Sequence, residues 1–590
     1  MKYSKSITNS ELADLFRSVS AVLSLDPKDN HFRIMAYDRA ADAVEHASLE
    51  IKDLWDDHNL DSIPGVGEGI AGYLDELFKT GKIRHFDNLL KTYPPAMFEL
   101  IRIPGIGPKN AFKLCKALGL SKPGSAIKKL QKAAEKGQIA KIEGFGDDSQ
   151  ASILKGIAEY SNRSHRLLLS DAEISAQKII DWLKKIPQVQ EAYPLGSIRR
   201  QVATVGDIDI AVSSQDPETV IKHFTNFPFK RRVLESGEHS ASIILPNDHQ
   251  VDLIVQPPDS FGSLLQHFTG SKHHNIALRE LAIKKGYSLS EYGIRNKDKL
   301  IKFSSEEKFY NFLGLDFIPP ELRENSREIF LAAKHLLPQL VQPEDIRGDL
   351  HIHSDFNIET SHDLGTSSLS EITAKAKSLG YHYIGLSEHN PGRTNHSLAQ
   401  TLELIKVKTN IVQNYNEKNR EKNVYVFNGL EIDIQPDGKR SVSDACLELL
   451  DYASVSIHSS FSQSRKIMTD RVIAGLDHPK VRFFAHPTAR LLLEREGIEL
   501  DWDRLFDFCL TNTKWLEINA WPNRLDLPDT LVNQAVSSGI KLIINTDSHN
   551  ADSLSLMKYG VSVARRGWAT AKDIINTIPL TQMRQLIERW

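Results

Sequence analysis

The chain has 590 residues, 41% hydrophobic and 25% charged, the make-up of a globular protein with room for several cores and not of a fibrous or disordered one. No apolar run approaches the roughly 20 residues that cross a bilayer, and M-K-Y-S-K-S-I-T-N-S at the start has no apolar signal-peptide core, so no membrane partner and a cytoplasmic location are expected. The net charge of −3 hides its distribution: from Arg102 to Lys141 ten Lys or Arg residues stand against one acid, Glu135, a local footprint suited to a polyanion.

Residues 1 to 60 read as amphipathic helix, because Leu12, Leu15, Phe16, Val19, Val22 and Leu23 recur at three- and four-residue spacing. One device then occurs three times: I-P-G-V-G-E-G-I-A from Ile63, I-P-G-I-G-P-K-N-A from Ile103 and I-E-G-F-G-D-D-S-Q-A from Ile142. Two glycines permit a tight turn whose N–H groups and following helix start face outward, a ready site for a phosphate. The repeats resemble the helix-hairpin-helix module, which grips the DNA backbone without reading bases. Gly65, Gly67, Gly105, Gly107 and Lys109 are the candidate backbone contacts. In the third copy Asp147 and Asp148 would repel phosphate. Cys115, Cys446 and Cys509 are too scattered for a disulfide framework or a metal knot.

Asp171 to Lys185 and Glu218 to Phe227 read as helices around L-G-S-I-R-R-Q-V-A-T-V-G-D-I-D-I-A-V, Leu195 to Val212. If Gly206 to Val212 is a strand, its period of two turns Asp207 and Asp209 to one face. Asp252, in the apolar run Gln250 to Val255, is the expected third carboxylate. Such acids repel unless a divalent cation such as Mg²⁺ holds them. Gly196 and Ser197 offer a close backbone approach, and Arg199 and Arg200 supply forks suited to phosphate oxygens. Together these are phosphoryl-transfer parts.

G-S-I-R-R, G-D-I-D, V-D-L and H-F-T-G-S-K-H-H-N-I-A-L-R (His267 to Arg279) resemble the palm and thumb of a family X DNA polymerase. The resemblance implies that Asp207, Asp209 and Asp252 are catalytic and hold Mg²⁺ or Mn²⁺. It sets Gly196, Ser197, Arg200 and Gly206 against the incoming triphosphate, has Phe268, Gly270 and Asn275 line the nucleotide pocket, and directs Arg279 to the minor groove. His267 and Lys272 replace the Tyr and Asp of well-known members, which bears on sugar discrimination. Tyr73 stands where lyase-active members carry a Schiff-base lysine, so no lyase activity is expected through that position. The thumb is expected to run to about Glu324.

Beyond a linker near Leu337 to Arg347, short apolar strands alternate with helices, as in a parallel barrel or layered α/β fold. Strand after strand ends on a metal-ligand type: His351 and His353, His389, Glu431, His458, His486, then Asp547 and His549. That is where (β/α) barrels build their sites. Mixed imidazole and carboxylate donors favour Mn²⁺, Zn²⁺ or Fe, and their number suggests two or three ions and phosphate-ester hydrolysis. The set resembles the polymerase and histidinol phosphatase (PHP) domain. The resemblance adds Asp363 as a ninth ligand, with His362 as its alternative, and E-I-N-A-W-P-N-R-L-D (Glu517 to Asp526) and A-R-R-G-W (Ala564 to Trp568) as further signatures. Arg490 and Arg524 are candidate phosphate holders.

The expected architecture is multidomain: an N-terminal helix-hairpin-helix domain (1–90), a second helical DNA-binding domain (91–165), an α+β nucleotidyltransferase palm (166–258), a thumb (259–335), a linker (336–347) and an α/β PHP barrel (348–590). The expected function is a gap-filling repair DNA polymerase with a Mn²⁺-dependent 3′ to 5′ exonuclease, cutting at abasic sites or 3′-phosphate removal being related outcomes. Its partners are gapped or primer–template DNA and dNTPs, and it is expected to be a monomer associated with the nucleoid during repair. One alternative is a nucleotidyltransferase acting on RNA or a small molecule, its barrel a metabolite phosphatase. Three hairpin motifs and His267 to Arg279 count against that. The retained acids and imidazoles count against a non-catalytic DNA scaffold.

Overall fold

A computed structural model of the chain describes residues 7, 9–25, 31–45, 51–56, 60, 66–103, 105–163, 166–247, 249–392, 396–419 and 424–588. The chain divides into two units, residues 1–165 and 166–590.

The first unit is helical among its described residues. The amphipathic stretch at its start is not one helix but three, Asn9–Leu23, His31–Glu45 and Ile51–Asp56. Its periodic residues Leu12, Leu15, Phe16, Val19 and Val22 are buried in a core that also takes in α1 (Glu68–Thr80). A second core forms around α2 (Pro108–Leu118) and α3 (Asp147–Arg163), using Leu114, Leu130, Ile139, Ile153 and Ile157.

In the second unit a five-stranded mixed sheet comes first. Its strands β1 (Glu191–Pro194), β2 (Ile208–Ser213), β3 (Arg232–Ser236), β4 (Ser240–Ile244) and β5 (Gln250–Gln256) lie in the order β1-β2-β5-β4-β3. Only β2 and β5 are parallel. Helices Leu169–Leu183 and Pro217–Thr225 share a core with this sheet. The short α4 (Gly196–Arg199) connects β1 to β2. Next come α5 (Phe261–Thr269), α6 (Lys272–Lys284) and a three-stranded antiparallel sheet over 287–301. An ideal Cβ at Gly262 would lie 2.2 Å from the Ser305 carbonyl carbon, so only glycine lets α5 approach that segment.

The last part is a parallel barrel. Strands β6 (Gly348–Ile352), β7 (Tyr383–Leu386) and β8 (Tyr425–Asn428) pair in sequence. The chain steps at Gly429–Leu430 into β9 (Glu431–Asp433), which pairs onward through β10 (Ala453–Ser456), β11 (Val481–Phe484) and β12 (Trp515–Asn519) to β13 (Leu542–Asn545). A parallel bridge between Ile352 and Ser548 closes the ring. Nearly every strand residue is buried, as expected when helices wrap a barrel whose interior is filled. The C-terminal ends of all these strands therefore open on one mouth.

Candidate active sites

In the five-stranded mixed sheet, Asp209 and Asp252 are register partners on the parallel strands β2 and β5. Asp207 lies outside the strand, in the bend before Ile208, so the expected strand from Gly206 starts two residues late. Burial, then Asp252, then Asp207 push the Asp209 carboxyl up to about 6. That is the signature of like charges crowded in a half-dry site. Ser242 Oγ donates to Asp252, and Gln250 Nε2 donates to its two oxygens at 2.9 and 3.0 Å, fixing its rotamer. Gly196 has φ +54°, and an ideal Cβ there would sit 2.9 Å from Asp209 Oδ2; only glycine lets the turn come so close.

The paired arginines after it differ in role. Arg199, expected to face phosphate, is instead committed to the fold: it donates to Thr269 Oγ1 at 2.6 Å and pairs with Glu306, whose other oxygen accepts from the fully buried Arg323 at 2.6 Å. Arg200 donates to the Thr269 carbonyl and, at 3.1 Å, to Glu324 Oε1. Gly270 (φ +71°) lies against it, with an ideal Cβ 3.1 Å from Nη1. Phe268 is half-buried beside His267, and Asn275 Nδ2 donates to the His267 carbonyl at 2.7 Å. Lys272 and Arg279 are exposed on α6.

At the barrel mouth, four groups have ligand atoms all within 4.8 Å of one another: His353–His389–His549, His351–His353–Asp547, His362–Asp433–His458 and His389–Glu431–His458. His486 joins through Glu431, Nε2 to Oε1 2.9 Å. Nε2 of His351, Nδ1 of His389 and Oε2 of Glu431 are buried against one another, His389 Nδ1 2.7 Å and His351 Nε2 3.3 Å from Glu431 Oε2, and Nδ1 of His353 is buried without a hydrogen-bond partner. Buried polar atoms of this kind are rarely left unsatisfied, and lone pairs turned toward one another suit divalent cations. Burial would raise the Glu431 pKa, but His389, His351 and His458 outweigh it and hold the carboxyl well below its usual range. His486 (φ 30°) and Asp547 (φ 55°) take left-handed backbone where their strands hand over to loops, a strained conformation common at functional sites.

The expected ninth ligand, Asp363, is exposed and belongs to none of these groups, whereas His362 is inside one, its Nε2 3.0 Å from Asp433 Oδ1. Arg490 spends its guanidinium on the carbonyls of Arg524 and Leu525, while Arg524 Nε lies 3.7 Å from Asp547 Oδ2, at the donor set. Three contributors had been given no role, although Glu517 and Asn519 lie in the signature from Glu517 to Asp526. Asp433 accepts from His458 Nδ1 at 2.7 Å; Glu517 meets His351 Nδ1 at 2.7 Å and the His486 N–H at 2.6 Å; Asn519 Nδ2 donates to Asp547 Oδ2 at 3.1 Å. Their signal was the period of two itself, since E-I-D and E-I-N put a second polar group on the Glu face of each strand.

In the first unit Gly67 and Gly107 cap α1 and α2 with nearly the same backbone, φ −76° and ψ 169° against φ −74° and ψ 166°. Gly105 (φ +84°) and Gly144 (φ +86°) make equivalent left-handed turns in the second and third copies. Gly67, Gly105, Gly107 and Lys109 are exposed. Gly65 lies outside the described residues. Tyr73 stacks on His85 at 5.5 Å, and Lys79 is paired with Asp75 at 2.8 Å.

Family models match four stretches: a helix-hairpin-helix domain over 7–83, a SAM-like helix-hairpin-helix tandem over 97–159, a DNA polymerase beta thumb over 264–324 and a PHP domain over 349–498. The chain is 32% identical to the DNA polymerase/3′-5′ exonuclease PolX of Bacillus subtilis over 95% of its own length and 96% of that protein's. Over about half its length it is similar to DNA polymerase lambda: 24% identical to that of Arabidopsis thaliana over 49% of this chain and 58% of the plant protein, and 26% identical to that of Rattus norvegicus over 45% and 48%.

Proposed function

The chain belongs to the family X DNA polymerases that carry a C-terminal PHP domain, and from that premise we propose that it fills short gaps in DNA during repair and trims 3′ ends with its own 3′ to 5′ exonuclease. The observation that carries this reading is the presence of two separate donor sets, paired carboxylates on β2 and β5 and imidazoles with carboxylates at the barrel mouth.

Both reactions use divalent cations, which neutralise phosphate charge and supply a nucleophile at neutral pH. In the palm Asp207, Asp209 and Asp252 hold them, as Mg²⁺ or Mn²⁺. Gly196 and Gly206 keep the backbone close, Ser197 and Arg200 bind the triphosphate of a dNTP, and Phe268, Gly270 and Asn275 seat its sugar and base. Arg279 reaches the template side. In the barrel His351, His353, His389, Glu431, His458, His486, Asp547 and His549, with His362 or Asp363, hold two or three Mn²⁺, Zn²⁺ or Fe ions. Glu517 and Asp433 orient their imidazoles, and Arg524 holds the scissile phosphate. Cutting at abasic sites and 3′-phosphate removal draw on the same set. Gly65, Gly67, Gly105, Gly107 and Lys109 grip the backbone of gapped or primer–template DNA. The protein works as a monomer in the cytoplasm, on the nucleoid during repair. Its domains run 1–90, 91–165, 166–258, 259–335 and 348–590, joined before the last by the linker 336–347.

The test is primer extension and primer degradation on a gapped duplex bearing a 5′-phosphate, with and without Mn²⁺. Asp209→Asn should lose synthesis and keep degradation. His458→Ala with Asp547→Asn should do the reverse, and primers still degraded by that double variant would overturn the nuclease assignment.

A further inference from the structure

A helix of the barrel domain packs against the palm turn that carries Arg200. In α7 (Met557–Arg566), Lys558, Ser562 and Arg566 recur every four residues and so share one helix face. Each is bonded to the palm. Lys558 Nζ lies 3.0 Å from Glu173 Oε2, and Ser562 Oγ donates to Gln201 Oε1 at 2.9 Å, while Gln201 Nε2 donates back to Glu173 at 2.8 Å. Arg566 reaches furthest. Its Nη1 donates to the backbone carbonyl of Arg200 at 2.8 Å and to Glu324 Oε1 at 3.1 Å; its Nε and Nη2 both meet Asp529 Oδ2 at 2.7 Å. The same Glu324 oxygen accepts from Arg200 Nε at 3.1 Å.

Two consequences follow from this geometry. The backbone of Arg200 is held at its carbonyl by a guanidinium that Asp529 itself fixes, so the start of the Arg200 side chain has little freedom. The carboxylate that holds the side chain is shared with a second cation. When Arg200 turns toward a phosphate oxygen, Glu324, whose side chain is 37% exposed, keeps Arg566 as its partner, a modest contribution beside the hold on the Arg200 carbonyl.

We propose that Arg566 is a positioning residue for DNA synthesis: from the barrel domain it sets the backbone of Arg200 and stays paired with Glu324 while Arg200 engages the nucleotide. The inference rests on the reading of Arg200 as a triphosphate contact, and its test separates the two. Single-nucleotide incorporation on gapped DNA is measured with the full chain, KM for the dNTP and kcat apart, alongside nuclease rate and thermal midpoint. Arg566→Ala should raise the KM about tenfold, the factor of one charge-assisted hydrogen bond, with kcat and nuclease rate within about twofold. Arg566→Lys should fall between, because an ammonium cannot bridge Asp529, the carbonyl and Glu324 together. Arg200→Ala should raise the KM at least as far, and adding Arg566→Ala to it should change little, since the two act through one contact. A raised KM in Arg200→Ala with none in Arg566→Ala overturns the positioning role alone; no change in Arg200→Ala overturns both readings. Parallel loss of nuclease rate, midpoint and dNTP affinity in both Arg566 variants would mark a merely structural residue and also overturn it.

Discussion

Glu306 sits between Arg199 and Arg323 with a side chain only 3% exposed, and each of its oxygens faces one guanidinium. Burial would raise its pKa, but Arg323 and Arg199 outweigh that and hold the carboxyl below its usual range. Removing its charge strands the fully buried Arg323, so Glu306→Gln should destabilise the second unit by ~3–5 kcal/mol, read as a lowered denaturant midpoint with unchanged nuclease chemistry below it. At the barrel mouth the neighbours His362 and Asp363 present a sharper choice. His362 shares Asp433 with His458, the two imidazole rings 4.3 Å apart, whereas Asp363 is exposed. His362→Ala should lower the bound metal by one ion per chain by elemental analysis, and Asp363→Ala should leave the count unchanged; the opposite result would return the ligand role to Asp363.

Among the elements, the hairpin turns allow folding and DNA contact to be separated. Gly107 has an ordinary φ of −74° and no atom within 4 Å of an added Cβ, so Gly107→Ala should fold normally yet hold a phosphate at greater distance. Affinity for gapped DNA should fall by about tenfold at constant thermal midpoint, and Lys109→Ala should cut the slope of affinity against salt by ~1. Gly105, at φ +84°, offers no such separation, because alanine there is strained on its own account. The thumb carries a pH response. His274 is buried between Glu328, at 2.7 Å, and Tyr310, at 3.0 Å. Burial lowers its pKa from the ordinary 6.5, so below that value the unfolded chain binds a proton that the folded thumb refuses. Glu328 is also held low: burial works against this, but the hydrogen bond from His274 and backbone N–H groups outweigh it, and its contribution is lost as pH falls further. Both signs agree. Thumb stability should therefore decline as pH drops from about 6.5, followed by hydrogen exchange over α6 or by fluorescence of Trp568, which lies in the thumb core; His274→Gln should flatten the upper part of that decline.

For the second unit as a whole, ions and fold are linked. The ligand atoms crowded at the barrel mouth favour the native state most when cations sit among them, and an ion at a hundred times its Kd adds ~2.7 kcal/mol. Chelation should lower the thermal midpoint of the isolated fragment 166–590 and leave that of 1–165 unchanged; equal shifts in both would contradict it. The sequence by itself determined a good deal. Strand-end donors such as His458 and His486, the strand that carries Asp209, the glycine pairs and a helix close to 169–183 were legible because each signal lies within one element, in the period of its own residues. The start of β2 was read two residues early, since a bend at Gly206–Asp207 leaves the alternation of apolar side chains intact. Only the tertiary structure decided that Arg199 pairs with Glu306, that Glu517 and Asp433 bond to the imidazoles, that His362 and not Asp363 lies in a cluster with Asp433 and His458, and that Arg566 reaches Arg200. Periodicity states which face a side chain occupies. What that face meets depends on which distant strand or helix packs against it, and for Arg566 and Arg200 that neighbour lies 366 residues away.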